Sequence, residues 1–233
     1  MLLDARGLVK RFGGLTAVSG MDLAVGPGTI VGLIGPNGSG KTTLFNLVSG
    51  LYRLDGGTVL FKGQDVTGLS PHRIARRGLG RTFQIPALFR KMTVEENLWV
   101  PAIDETWGAM RRRAADLLEF FRLTPLRDEP AEVLSGGQQK VLELARALMR
   151  DPDLLLLDEC TAGVQPVMVA ELLQAIRRLR ERGKAFVIIE HNMDVIQDLC
   201  EEIVVMHEGR AIARGDLSAV KRDAAVVEAY LGR

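Results

Sequence analysis

The sequence predicts an α/β fold, and three observations predict it. Short apolar segments broken by glycine or proline fill the first third, helix-spaced apolar residues fill the middle, and strand-like and helix-like segments alternate from Ser135 onward. Such alternation builds a parallel sheet covered by helices on both faces. With 233 residues, 47% of them hydrophobic, the chain can bury a substantial core as one large domain or one domain with an inserted lobe.

In the opening third the strand-like segments are Leu2 to Lys10, Met21 to Val25, Thr29 to Ile34 and Thr58 to Phe61. Gly13-Gly14, Pro27-Gly28 and Gly56-Gly57 mark the expected turns. From about Trp99 to Asp128, Met110, Ala114, Leu117, Leu118 and Phe121 recur at helix spacing, which reads as an inserted helical lobe. Beyond Ser135 a helix stripe at Val141, Leu144, Ala145 and Leu148 precedes a buried strand, Leu154 to Leu157. A second stripe at Leu172, Ala175, Ile176 and Leu179 precedes the strand Ala185 to Ile189. Ile203 to Met206 and Arg210 to Ala213 flank Glu208-Gly209, as in a hairpin at a sheet edge. There is no internal repeat and no low-complexity linker.

Gly35 to Thr42 reads Gly-Pro-Asn-Gly-Ser-Gly-Lys-Thr after the apolar run Ile30 to Ile34 and before the helix-like Thr42 to Ser49. Strand, glycine-rich loop and helix in that order are what a P-loop requires, because bare backbone N–H groups and the helix N-terminus then surround a triphosphate. Asn37, Gly38, Ser39 and Gly40 supply the cradle, with Thr42 and Thr43 at the helix start. Lys41 would reach the β- and γ-phosphates, and the Thr42 hydroxyl would take a place on Mg²⁺. A glycine-rich turn that only packs a strand against a helix is the plainer alternative.

Asp153-Leu-Leu-Leu-Leu-Asp158-Glu159 places two carboxylates at the carboxyl end of a buried strand, where open α/β sheets bind ligands. Adjacent acids leaving an apolar strand are costly unless a cation or a reaction needs them. Asp158 is therefore expected in the Mg²⁺ shell and Glu159 beside the water that attacks the γ-phosphate. His191 follows the strand that ends at Glu190 and can project over the same edge. His191 and Gln84 gain weight only from their company, since a lone residue of either type is more often structural.

Leu134 to Gln138 reads Leu-Ser-Gly-Gly-Gln ahead of the Val141 stripe. Ser135 can cap that helix while Gly136 and Gly137 leave N–H groups bare, a second anion cradle. The P-loop already surrounds most of one nucleotide, so two half-sites in one chain imply an antiparallel pair in which each subunit closes the other's ATP. The alternative is a simple helix start.

Lys plus Arg number 30 and Asp plus Glu 29, and a net charge of +1 gives bulk charge no role in holding nucleic acid or an anionic membrane. Cys160 and Cys200 have no metal-type spacing and suit a reducing cytosol. The start, Met-Leu-Leu-Asp-Ala-Arg, does not read as a secretory signal, and no apolar run approaches the roughly 18 to 20 residues of a membrane helix.

Phe12, Gly35 to Thr42, Gln84, Leu134 to Gln139, Leu154 to Glu159 and His191 together resemble, over nearly the whole chain and in the family's order, the ATP-binding subunit of an ABC transporter. The resemblance implies a P-loop ABC-type ATPase cassette with a mixed core sheet, an N-terminal antiparallel β part and a helical subdomain at about 85–150. It implies that Phe12 stacks on adenine, that Gln84 reaches Mg²⁺ and the lytic water, and that His191 contacts the γ-phosphate. It also implies a head-to-tail ATP sandwich, permease subunits in the membrane, an indirectly acting solute-binding protein, and a place on the cytoplasmic face. Residues from Gln84 to about Leu98 would meet a permease helix through Ile85, Pro86, Ala87, Leu88 and Phe89, unless that run is the lobe's own packing.

His72 to Ala75, Arg81 to Gln84, Thr93 to Leu98 and Glu228 to Gly232 resemble the branched-chain amino acid uptake branch. Urea and amide importers share much of this wording, and Leu88 to Lys91 resembles the lipopolysaccharide-export ATPase. The chain departs from the family at Cys160, where proline is usual, and at Gln165, where most members have an aspartate that joins the subunits. The substitution at Gln165 favours a similar but different ATP-binding subunit as partner over a second copy. A soluble ABC ATPase acting on DNA or ribosomes is the competing class. It would carry a long coiled-coil insertion or two cassettes in one chain, and neither is present.

Overall fold

Short, almost wholly apolar strands set the centre of the molecule. The computed structural model describes residues 1–102 and 106–231, so residues 103–105 of the predicted helical stretch and Gly232 of the terminal motif lie outside the described residues. In chain order the elements are β1 (Leu3–Phe12), β2 (Leu15–Val25), β3 (Ile30–Ile34), α1 (Lys41–Val48), β4 (Gly56–Phe61), β5 (Gln64–Asp65), α2 (Pro71–Ala75) and β6 (Leu79–Arg81). Then come α3 (Val94–Trp99), α4 (Trp107–Phe120), α5 (Gly136–Leu148), β7 (Leu154–Asp158), α6 (Pro166–Glu181), β8 (Ala185–Ile189) and α7 (Met193–Leu199). The chain finishes with β9 (Glu202–His207), β10 (Arg210–Gly215), α8 (Leu217–Arg222) and α9 (Ala224–Leu231).

Every residue of β3, β7 and β8 is buried, as expected of strands covered on both faces. They lie in a mixed sheet of order β10-β9-β3-β8-β7-β6, parallel except for the antiparallel edge hairpin of β9 and β10. Successive side chains on a strand face opposite ways, so the sheet packs apolar residues on both faces. Ile30, Leu155, Leu157, Phe186 and Ile188 pack under α5, α6 and the helical stretch around α3 and α4. Val31, Leu33, Leu154, Leu156, Val187 and Ile189 pack against α1 and a second sheet, the antiparallel β2-β1-β4-β5.

The structure moves two element starts by five residues or more and adds a strand. Strand β2 starts at Leu15 instead of Met21, because Gly13-Gly14 forms a two-residue turn and pairs Phe12 with Leu15 at once. Helix begins at Val94, ahead of Trp99, where Thr93 and Glu96 form a reciprocal capping box. Strand β6 was not foreseen. Three residues carry no period, and only pairing to β7 (Leu79 with Leu154) makes them a strand.

Gly56-Gly57 is a correction of a different kind, since both residues lie within β4 and not in a turn. Gly57 sits at φ +89° beside a register shift in β1, and a Cβ there would lie 2.5 Å from the Gly7 carbonyl oxygen. The pair marks a close backbone approach. Gly57→Ala is expected to cost on the order of 1–3 kcal/mol from strain alone and to lower Tm by roughly 2–12 °C. Thermal unfolding checks this, and an unchanged Tm would contradict the close approach.

Candidate functional site

Parallel strands end along one edge, and the strand order decides what meets there. Reading across β9, β3, β8, β7 and β6, the segments that leave this edge carry Glu208, the loop 35–40, His191, Glu159 and Gln84. Glu208, His191, Glu159 and Gln84 line one cleft of about 910 Å³ together with Phe12, Asn37, Gly38, Gly40, Lys41, Thr42 and Thr43, whereas Ser39 and Asp158 are buried behind it and are not part of its lining.

Gly40 precedes α1 at φ +102°, and a Cβ on it would lie 2.3 Å from the Ala17 carbonyl oxygen. Only glycine lets the loop turn there and present its N–H groups at the helix start. Ser39 is buried beneath the loop, and its carbonyl accepts from Gly209 N at 3.0 Å. Lys41 is 7% exposed and lays its ammonium against the carbonyls of Gly35 (2.8 Å) and Pro36 (3.0 Å). Burial pushes its pKa down, while Glu159 and Asp158 hold it up. The cleft thus contains one desolvated ammonium held by two backbone carbonyls at a helix N-terminus, an arrangement suited to an anion.

Glu159 stands opposite. Gln84 Nε2 donates to one carboxylate oxygen at 2.8 Å, and His191 Nε2 lies 3.1 Å from the other. The residue takes φ +50°, a left-handed conformation that costs a non-glycine residue roughly 1–2 kcal/mol. Glu159 N bonded to Ile189 O and the Lys140 ammonium on its carbonyl hold it in place. Asp158 is buried at the end of β7, and burial pushes its carboxyl pKa up against the opposing pull of Arg81 and the Thr42 hydroxyl. Thr42, Gln84 and Asp158 offer hydroxyl, amide and carboxylate oxygens, a donor set suited to a hard divalent cation that shares its shell with phosphate.

Phe12 ends β1 at the rim of the cleft, 43% exposed, in an edge contact with Tyr52 at 5.5 Å. Ser135, Gly136 and Gly137 are not brought to this cleft. Ser135 caps α5 in a reciprocal box with Gln138 (3.3 and 2.9 Å), which leaves its hydroxyl proton free to donate. A Cβ on Gly136 would meet nothing within 4 Å, whereas one on Gly137 would collide with Met168 Sδ at 2.8 Å, so only the first is an open face.

The run 85–89 divides. Leu88 packs on the core, while Ile85 (79% exposed) and Phe89 face outward. Cys160 is buried against Glu190, and burial pushes its thiol well up, away from the reactive thiolate. Gln165 precedes α6 without a side-chain capping bond.

Sequence reasoning missed two residues beside Asp158 and Glu159. Arg81 reaches Asn46 on α1 (2.6 Å) and Ser49 at its C-cap (3.0 Å) and lies 3.8 Å from Asp158, tying β6, α1 and β7 together. A cation closing a short apolar segment was its only trace. Lys140 left none, since on paper it belongs to a solvated helix face.

The ABC transporter family matches residues 18–162. The probable branched-chain amino acid transport ATP-binding protein LivG of Archaeoglobus fulgidus is 42% identical, covering 99% of this chain and 95% of that protein. The lipopolysaccharide export system ATP-binding protein LptB of Haemophilus influenzae is 39% identical, covering 99% and 97%. Among solved structures, an ATP-binding cassette of an ABC transporter in its ADP conformation superposes with a TM-score of 0.92 at 35% identity, covering 100% and 99%. A dimeric cassette in a post-hydrolysis state, bound to ADP and Pi, superposes at 0.83 and 26% identity, covering 92% and 98%. No helix among the described residues is long and apolar enough to cross a membrane. The fold and these matches place the chain in the ABC transporter family, as one of its ATP-binding ATPase cassettes.

Proposed function

We propose that the chain is the ATP-hydrolysing motor of a transporter that takes up branched-chain amino acids, working as a peripheral subunit on the cytoplasmic face of the membrane. The observation that carries the ATPase role is Glu159, held between Gln84 and His191 across the cleft from Lys41. The branched-chain assignment rests on the likeness to the LivG protein.

Residues 1–233 act as one cassette, with a helical subdomain at about 85–150 set into the nucleotide-binding core. Phe12 stacks on the adenine, and Asn37, Gly38, Ser39, Gly40, Thr42 and Thr43 surround the phosphates. The Lys41 ammonium leaves the loop carbonyls for the β- and γ-phosphates. Glu159 orients the attacking water and accepts its proton, with Gln84 and His191 fixing the carboxylate. Thr42, Asp158 and Gln84 would hold Mg²⁺, which neutralises charge on the phosphates.

Ser135, Gly136 and Gly137 lie outside the cleft of their own chain, with a spare hydroxyl proton and an open glycine face. They complete the site of a second ATP-binding subunit, a paralogue or a second copy, in a head-to-tail pair. Ile85 and Phe89 meet a permease helix, and a solute-binding protein acts only through the permeases. Nucleic acid has no part.

Purification with its permeases followed by reconstitution tests the reading. Branched-chain amino acids with their binding protein should raise ATP turnover several-fold. Stimulation by lipopolysaccharide instead would favour the export role suggested by the LptB likeness, and nuclease-sensitive association with nucleic acid would favour a soluble ABC ATPase.

A further inference from the structure

Glu143 is a carboxylate where helix α5 has no evident need of one. It is 5% exposed and lies between Leu142 and Leu144, both buried. A buried carboxylate is costly without hydrogen bonds, and here a single oxygen, Oε1, receives two: Phe83 N at 3.1 Å and Ala87 N at 3.4 Å. Those donors bracket Gln84 in an irregular stretch that has no ladder to satisfy them.

Two neighbours strengthen the same anchorage. Arg146, one turn along α5, donates to the Ala87 carbonyl. The fully buried Asn97 accepts from Phe89 N at 2.9 Å and donates to Phe89 O at 3.0 Å. The helix also holds the other side of the reaction pair, because Lys140 donates to the Glu159 carbonyl. Ser135, the N-cap of this helix, precedes Glu143 by eight residues, a rise of about 12 Å.

We propose that Glu143 is a positioning residue for ATP hydrolysis: through the Phe83 and Ala87 amides it fixes the loop that aims Gln84 at Glu159, and so ties the hydrolysis pair to the helix that begins at Ser135. The proposal rests on the reading of Gln84 given above. Two features distinguish it from ordinary core filling. An apolar side chain would pack as well but accept nothing, and one amide oxygen can replace the single carboxylate oxygen that accepts both bonds.

The test measures steady-state ATP turnover and binding of a nonhydrolysable ATP analogue with the full chain carrying Glu143→Ala, Glu143→Gln, Gln84→Ala, or Glu143→Ala with Gln84→Ala. Glu143→Ala is expected to lower kcat about 10–100-fold, the usual range for a group that orients a reacting one, with analogue affinity within about twofold. Glu143→Gln should restore most of the rate. In the Gln84→Ala background, Glu143→Ala should add no further loss, because the group it positions is already gone. A loss that multiplies in that background, or a glutamine variant as slow as the alanine one, overturns the proposal while leaving the role of Gln84 standing. Wild-type turnover by Gln84→Ala alone overturns the reading of Gln84 and the proposal with it.

Discussion

Glu159→Gln is expected to keep nucleotide affinity within about twofold while turnover falls about 10²–10⁴-fold, the contribution of a positioned general base, or about 3–5 kcal/mol of transition-state stabilisation. Glutamine has the same shape and keeps one acceptor oxygen, so a contact to Gln84 or His191 survives. It cannot take the proton that the attacking water releases. Binding is spared because the groups proposed to face the phosphates, Lys41 with Asn37, Gly38 and Gly40, are other residues of the cleft lining and stay unchanged. ATP should persist in the variant, and the paired state closed by Ser135 should last longer. Fluorescent-nucleotide titration, phosphate release and the lifetime of the ATP-bound pair measure the three effects. Hydrolysis at the parental rate would remove Glu159 from the role given to it.

Lys41→Ala acts on the other side of the reaction, and here affinity should collapse. The ammonium is almost fully buried and already desolvated against the Gly35 and Pro36 carbonyls, so little solvation is lost when it turns to phosphate. Hydrogen bonds to charged groups contribute about 1.5–3 kcal/mol each, and two phosphate contacts correspond to roughly 10²–10⁴-fold in Kd. Arginine is not expected to rescue the site, because a planar fork needs more room than a compact ammonium packed among loop carbonyls. Calorimetric titration with Mg²⁺-ATP decides the matter. Affinity within threefold of the parent would mean that backbone amides alone hold the phosphates.

Much of the molecule could be read before its structure because the relevant signals are local. Ile30 to Ile34, Leu154 to Leu157 and Ala185 to Ile189 announce buried strands by composition, and the structure buries every one of those residues. The stripe at Val141, Leu144, Ala145 and Leu148 lies on α5 as its spacing requires. Boundaries failed where pairing decided them. Leu15 to Gly20 lack clean alternation yet extend β2 because β1 lies alongside. Gly56 and Gly57 look like a turn by composition but sit where two strands press together.

The candidate site divides in the same way. Gly35 to Thr42 and Leu134 to Gln138 are legible as contiguous residues, since phosphate cradles of the kind proposed for them are built from consecutive backbone N–H groups at a helix start. Arg81, Lys140 and Glu143 carry theirs only through residues far along the chain. Arg81 matters because β6 pairs with β7 and sets it beside Asp158, and Glu143 because α5 passes under the loop at Gln84. Taken alone, the sequence determined the α/β fold class and two separate glycine-rich helix starts, because period, composition and turn chemistry act over a few residues. Tertiary structure alone decided that Gln84, Glu159 and His191 share one cleft while Ser135 stands apart from it. Strand order is settled by long-range burial and pairing, and no short stretch of chain encodes it.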